Sequence, residues 1–200
     1  MRGDAERLAG AAEGPRAAGL DGYLAVHGAQ KLFGAFGGPG LDKAGAGFDR
    51  IGLTPGKPMA AVAGATELGG GLLTAAGVAD PAGPLAIMGA MTVASATHRA
   101  NGPLAANRGF ELPLTNLATA AALAASGPGR FRLSPPLSRR LTAVAAAGGA
   151  LLAAASLARM LTAARDQAGA AAPATRAESV SDTVSDIASH KATEPDTAQP

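Results

Sequence analysis

Residues Pro58 to Val78 read PMAAVAGATELGGGLLTAAGV, a run of small and apolar residues with one acid, Glu67, near its midpoint. A helix needs about 20 predominantly apolar residues to cross a bilayer, and this run has that length. A carboxyl group at the centre of such a span costs about 2.5–3.5 kcal/mol on insertion scales, so ionisable groups at that depth usually face a protein interior. The run therefore predicts a membrane protein whose functional groups lie inside a helix bundle.

The overall composition favours closely packed membrane helices. Of the 200 residues, 48 % are hydrophobic and only 3 % are aromatic, and 28 are glycines. Small residues let membrane helices approach closely, whereas a soluble core buries more area with bulkier side chains. The net charge of +2 indicates no nucleic-acid partner, and the absence of cysteine excludes disulfides, thiolate-bound zinc and iron–sulfur clusters. No metal site is predicted.

Four further hydrophobic stretches accompany the first. They are Ala17–Phe36, Leu85–His98, Phe110–Ser126 and Leu141–Met160. The earliest is interrupted by Asp21, His27 and Lys31 and is the weakest span, while the one at Leu85 reaches a fuller length if it begins at Pro81. The last follows an arginine-rich loop and is either a fifth span or an Ala-rich soluble helix. Together they predict an all-α fold, a transmembrane four-helix bundle with a fifth C-terminal hydrophobic helix.

The chain is predicted to have four parts. A flexible N-terminal segment, residues 1–15, lacks the apolar core of a signal peptide. The bundle occupies residues 16–129, and the basic loop with the extra helix occupies residues 130–165. Residues 166–200 contain mainly Ala, Ser, Thr, Asp and Pro, a composition with little bulk that predicts a disordered tail. Lys and Arg nearly balance across the two sides, so the orientation stays open.

Helical spacing places the polar residues of each span on one face. Because consecutive spans alternate in direction, the end of the first and third spans and the start of the fourth lie near one membrane surface. The residues gathered there are His27, Lys31, His98 and Glu111. Glu67 lies nine residues inside its helix, about 13 Å deeper at 1.5 Å per residue. We expect a polar site there that could bind a quinone ring or relay protons.

Each of these residues also has a purely structural interpretation. The two histidines could hydrogen-bond between helices, and the Lys31 ammonium could extend to the interface. Glu67 could be a neutral acid bound to Thr74 or a backbone carbonyl, and Glu111 could only cap the fourth helix.

Several motifs resemble those of the DoxX family of membrane proteins. The segment from His27 to Leu41, HGAQKLFGAFGGPGL, resembles the family signature HG-x-QK-L-FG … FGG-x-G, and Glu67–Leu73 resembles its E-L-x-GG-LL helix. The further matches are Phe48 with Gly52-Leu53 and Pro55-Gly56, then Met91, Ala94 and His98, then Gly109–Glu111, and last Gly127-Pro128-Gly129. They occur in the family order from Tyr23 to Gly129.

This resemblance implies a multi-pass protein of a bacterial-type cytoplasmic membrane, surrounded by lipid and associated with redox partner subunits. The family is linked to thiosulfate:quinone oxidoreduction, so a quinone is the cofactor to expect, although none is firmly implied. The candidate site residues are His27, Gln30, Lys31, Glu67, His98 and Glu111. We predict a quinone-binding or accessory subunit in membrane electron and proton transfer. The alternatives are a non-enzymatic scaffold for redox or stress-response partners, a bis-histidine haem protein, and a small-molecule permease.

Overall fold

The computed structural model describes residues 22–127 and 132–191, with side chains as far as residue 169. All regular structure within these residues is helical, which confirms the predicted fold class. The helices are α1 (residues 22–33), α2 (Gly40–Arg50), α3 (Gly56–Ala75), α4 (Ala82–Thr97), α5 (Glu111–Ser126) and α6 (Arg139–Lys191). The predicted N-terminal segment 1–15 and part of the basic loop lie outside the described residues.

Helices that follow one another in sequence are packed side by side. α2 packs on α3, α3 on α4 and α4 on α5. A Cβ atom added at Gly70 of α3 would contact Ile87, and one added at Gly83 would contact Thr74, so α3 and α4 run antiparallel. The central hydrophobic cluster joins α1, α4 and α5 and consists of Leu24, Ile87, Met91 and Ala120. Short connections and small interhelical residues thus produce the predicted bundle.

The closest approach of α1 to α3 occurs at two glycines. A Cβ atom at Gly28 would collide with the backbone of Gly64 and Leu68, and a Cβ at Gly64 would lie 2.8 Å from Cγ of Leu32. Only glycine lets the two backbones lie so close together. We call this contact the glycine seam, Gly28 and Gly64 with Leu32 and Leu68.

Helix α2 is absent from the sequence-based prediction, in which no hydrophobic stretch covers residues 40–50. Its signal is amphipathic rather than hydrophobic: Ala44 and Gly45 are buried, whereas Asp42 and Lys43 on the other face are exposed. A search for membrane spans misses such a helix because the charged residues on its exposed face make the segment too polar to resemble a span. The Oδ1 atom of Asp49 accepts a hydrogen bond of 2.6 Å from the N–H of Gly56 and so caps the start of α3.

The loop before α6 is anchored to the turn between α3 and α4. The N–H of Leu133 donates to the carbonyl of Ala76 (3.1 Å), and that of Leu137 donates to the carbonyl of Asp80 (2.7 Å). Ser134 Oγ accepts a bond of 2.9 Å from the N–H of Ala79. These bonds place the start of α6 beside the start of α4.

Residues 166–200, for which the composition predicts a disordered tail, include the last part of α6. The backbone of α6 continues as a helix to Lys191, and residues 192–200 lie outside the described part. Alanine has the highest intrinsic helix propensity, so an Ala-rich segment can be helical without burying hydrophobic bulk. The chain divides into two compact units, Met1–Met160 and Leu161–Pro200.

Large apolar side chains lie on the exterior of the bundle. Leu151 and Val144 of α6 are 73 % and 68 % exposed, and Leu72 of α3 is 56 % exposed. Such a surface is typical of helices that face lipid. Within the described residues, Arg139–Gly169 is the one helical stretch that is long and apolar enough to cross a membrane, while Ala82–Thr97 is apolar but shorter.

Candidate ligand-binding site

A cavity of about 650 Å³ lies among the helices of the unit Met1–Met160, and all six helices contribute to its walls. Most of the lining is apolar. The ionisable or amide side chains in it are Tyr23, His27, Lys31, Glu67, His98, Arg108 and Asn116. Four of the six residues predicted from the sequence are therefore brought to one cavity.

Lys31 and Glu67 form an ion pair between α1 and α3. The distance between Lys31 Nζ and Glu67 Oε2 is 2.5 Å, and the two side chains are 23 % and 9 % exposed. The sequence predicts that Glu67 lies deeper in the membrane than Lys31. The ion pair corrects this prediction, because the two side chains are in direct contact. The glycine seam brings the two helices together, and the long stem of Lys31 reaches the carboxylate.

The ion pair also replaces the interpretation of Glu67 as a neutral acid bound to Thr74. The hydroxyl of Thr74 donates to the carbonyl of Gly70 in its own helix, at 2.7 Å. A buried carboxylate is strongly stabilised by a hydrogen-bonded cation, and Lys31 supplies this cation.

His27 lies on α1, one helical turn before Lys31, and lines the same cavity. Its ring packs edge to face against Tyr23, with ring centroids 4.3 Å apart. Aromatic pairs in this geometry restrict each other's orientation. The imidazole is therefore positioned by Tyr23 at the wall of the cavity.

His98, at the end of α4, is oriented by the loop that follows it. Its Nδ1 atom lies 2.7 Å from the carbonyl oxygen of Arg108, which also accepts a bond of 3.1 Å from Nδ2 of Asn101. A carbonyl can only accept, so Nδ1 carries the proton, and Nε2 of the neutral ring is left as an acceptor. Arg108 has a φ of 57°, a left-handed conformation that is uncommon outside glycine.

Gln30 and Glu111 are placed outside this cavity. The Glu111 carboxylate accepts a hydrogen bond of 2.8 Å from the N–H of Ala105 and so supports the loop before α5. The stem of Gln30 packs against Gly38, where an added Cβ would collide with it. Both residues therefore have local structural contacts in place of the predicted position in the site.

Some cavity residues were not singled out from the sequence. Arg108 itself adopts the left-handed backbone conformation that ends the turn, and no sequence pattern indicates that conformation at an arginine. Asn116 lies on α5, and its Nδ2 is 3.8 Å from Sδ of Met91. It could have been found as the one amide in an apolar helix, because such a group usually faces a bundle interior. The contribution of α6 depends on tertiary packing alone.

An all-helical bundle with an apolar exterior and a small set of ionisable groups around an inner cavity defines a helical membrane protein. Residues 18–100 match the DoxX family model. This segment, which contains α1 to α4, is a DoxX domain of the helical membrane type that the sequence motifs indicated. No curated protein and no solved structure matches the chain.

Proposed function

We propose that the protein binds a quinone in this cavity and acts as a quinone-binding or accessory subunit in membrane electron and proton transfer. We further propose that it crosses a bacterial-type cytoplasmic membrane several times. The observation that carries this proposal is the mostly apolar cavity of about 650 Å³ whose walls include two histidines and a Lys–Glu pair.

The size and lining of the cavity suit a quinone. Ligand sites in proteins commonly have volumes of about 300–1,000 Å³ and combine apolar walls with a few polar groups. A quinone ring is flat and apolar on both faces, and its two carbonyl oxygens need hydrogen-bond donors. The Lys31 ammonium is a donor, and His98 becomes a second donor to a quinone carbonyl when its Nε2 also carries a proton.

The chemistry of the polar groups suits proton exchange with the ring oxygens. Reduction of a quinone to a quinol takes up two electrons and two protons. When a quinol is oxidised, Nε2 of neutral His98 can accept a proton from the quinol hydroxyl. The chain has no cysteine, so in this proposal a redox partner subunit or a bound organic cofactor donates the electrons for quinone reduction and accepts them from quinol oxidation.

The test is the inventory of lipophilic molecules bound to the protein purified in mild detergent. We expect an organic extract to contain a quinone in near-equimolar amount. His98→Ala should reduce it about tenfold, since the loss of one hydrogen bond is worth about 1.4 kcal/mol. Glu111→Gln is the matched control, because its amide oxygen still accepts from Ala105 outside the cavity. A wild-type protein that neither retains nor binds an added quinone would contradict the proposal.

The second candidate is a non-enzymatic scaffold that holds redox or stress-response partners at the membrane. It is supported by the internal pairing of the polar groups: Lys31 pairs with Glu67, and His98 donates to the carbonyl of Arg108. Those groups therefore have partners without a ligand. Pull-downs from native membranes would then recover the same partners with wild type and with His98→Ala, and partner loss in the variant would argue against a scaffold.

A further inference from the structure

We propose that α6 forms the ligand-selecting wall of the cavity and that Gly148 is the position that admits an apolar tail on the ligand. This inference rests on the proposed function, because it names the part of a quinone that the wall would select. α6 lies beyond the 18–100 segment that matches the DoxX model. The selecting wall is thus supplied by this chain outside its DoxX domain.

One face of α6 is built into the cavity. Its lining residues recur at helical spacing and are Ala145, Gly148, Gly149, Leu152, Ala153 and Ser156. Ala153 and Ser156 are 8 % and 5 % exposed, although most of this helix is exposed. The cavity-facing side is therefore made mainly of small residues, and the bulkier Leu151 lies on the outside.

The position of this wall is fixed at three places. At its start, Leu137 N–H donates to the carbonyl of Asp80. In the middle, a Cβ added at Gly89 would lie 3.3 Å from the carbonyl oxygen of Gly149, so the α4 and α6 backbones are in close contact. Near the end of the unit, Arg159 Nη1 donates to the carbonyl of Thr54 at 3.0 Å.

Gly148 leaves open space at the exposed edge of the wall. The residue lines the cavity and is itself exposed, and a Cβ atom added there would meet no other atom within 4 Å. Several large apolar lining residues are half exposed, among them Leu112 at 51 % and Leu152 at 45 %, and in a bilayer these would meet acyl chains. An empty position beside an apolar rim suits a ligand whose polar head lies inside and whose long apolar tail extends towards lipid.

The first experiment compares two quinone analogues with the same benzoquinone head, one carrying a decyl chain and one a single isoprene unit. Gly148→Leu should weaken binding of the decyl analogue at least tenfold and that of the short analogue less than twofold. Gly69→Leu is the control, because Gly69 is a helical glycine at which an added Cβ also meets no atom within 4 Å, and it does not line the cavity. Equal losses for both analogues, or no loss for either, would overturn the proposal.

The second experiment needs no quinone and so separates this inference from the proposed function. The chain has no cysteine, so Gly148→Cys and Gly69→Cys each introduce a single thiol. Maleimides react with the thiolate, which forms where water can enter. N-ethylmaleimide should label position 148 in membranes at least fivefold faster than position 69. Equal labelling rates would refute the claim that position 148 lines an accessible cavity. Faster labelling at position 148 in a protein that binds no quinone would refute only the identity of the ligand.

Discussion

The glycine seam between α1 and α3 and the wall formed by α6 both place glycines on a helix surface, but in opposite packing environments. At the seam the two backbones are so close that an added methyl group at Gly28 collides with the facing helix, and the Lys31–Glu67 ion pair links the helices beside it. At the wall, an added methyl group at Gly148 meets nothing, and the helix is held by Leu137 just before its start, by one close contact at Gly149 and by Arg159.

This difference separates structural stability from ligand selection. The seam leaves no space and pairs its buried charges, so changes there should act on folding. The wall has space on the cavity side, so changes there should act on binding. The following experiments test this division, beginning with the largest expected effect.

Gly28→Leu should prevent α1 from docking on α3. The new side chain would overlap the backbone of Gly64 and Leu68, which cannot move as a flexible side chain can, so the expected cost is above about 3 kcal/mol. Thermal unfolding in detergent would measure the loss. Gly69→Leu serves as the control, and a Gly28→Leu protein that unfolds at the same temperature as this control would contradict the seam.

Lys31→Met should destabilise the seam by about 2 kcal/mol, less than the 3–5 kcal/mol of a fully buried pair because Lys31 is partly exposed. The cause is the unpaired carboxylate of Glu67. The double variant with Glu67→Leu should recover most of the lost stability. Denaturant titrations of the wild type, the two single variants and the double variant give the coupling free energy between the two side chains. Lys57→Met is the comparison, because its pair with Asp42 is exposed and should have no measurable effect.

Arg159→Gln should loosen the wall by about 1 kcal/mol, the typical net value of a hydrogen bond. Hydrogen exchange of the α6 backbone within residues 139–160 should become about fivefold faster, while exchange of the seam stays unchanged. Arg140→Gln, at the other end of the helix, is the control. If α1 and α3 exchanged faster as well, the two regions would not be independent.

Asp80→Asn should have the smallest effect, and the effect should depend on pH. Burial raises the pKa of the Asp80 carboxyl above its usual value, so the folded state disfavours the charged form. The fold therefore becomes more stable as the pH falls through this raised pKa. The variant should unfold at a slightly higher temperature than wild type at pH 7, and the difference should vanish near pH 3. A constant difference across the range would argue against this cause.

The order of the hydrophobic helices could be predicted because their length and their breakers are local properties. Helix α4 begins at Ala82, beside the Pro81 that suits a helix start, and α5 ends at Ser126, just before the Gly-Pro-Gly segment. Helix α2 could not be found by hydropathy, because its burial depends on one narrow face that packs on α3.

Four members of the candidate site were predictable from the sequence, but their contacts were not. Helical spacing and alternating direction were enough to group His27, Lys31 and His98 with Glu67. They could not show that Lys31 reaches Glu67, since this depends on how closely two backbones approach. Nor could they separate Glu111 from the site, because its position is set by the turn at Arg108.

The sequence by itself determined an all-helical membrane protein with a DoxX domain, since helix length, small-residue content and short motifs are local properties of the chain. The tertiary structure alone decided which charges pair, which nitrogen of His98 stays available, and that α6 closes the cavity. These properties depend on distances of a few ångströms between segments far apart in sequence, and such distances follow only from how the helices pack.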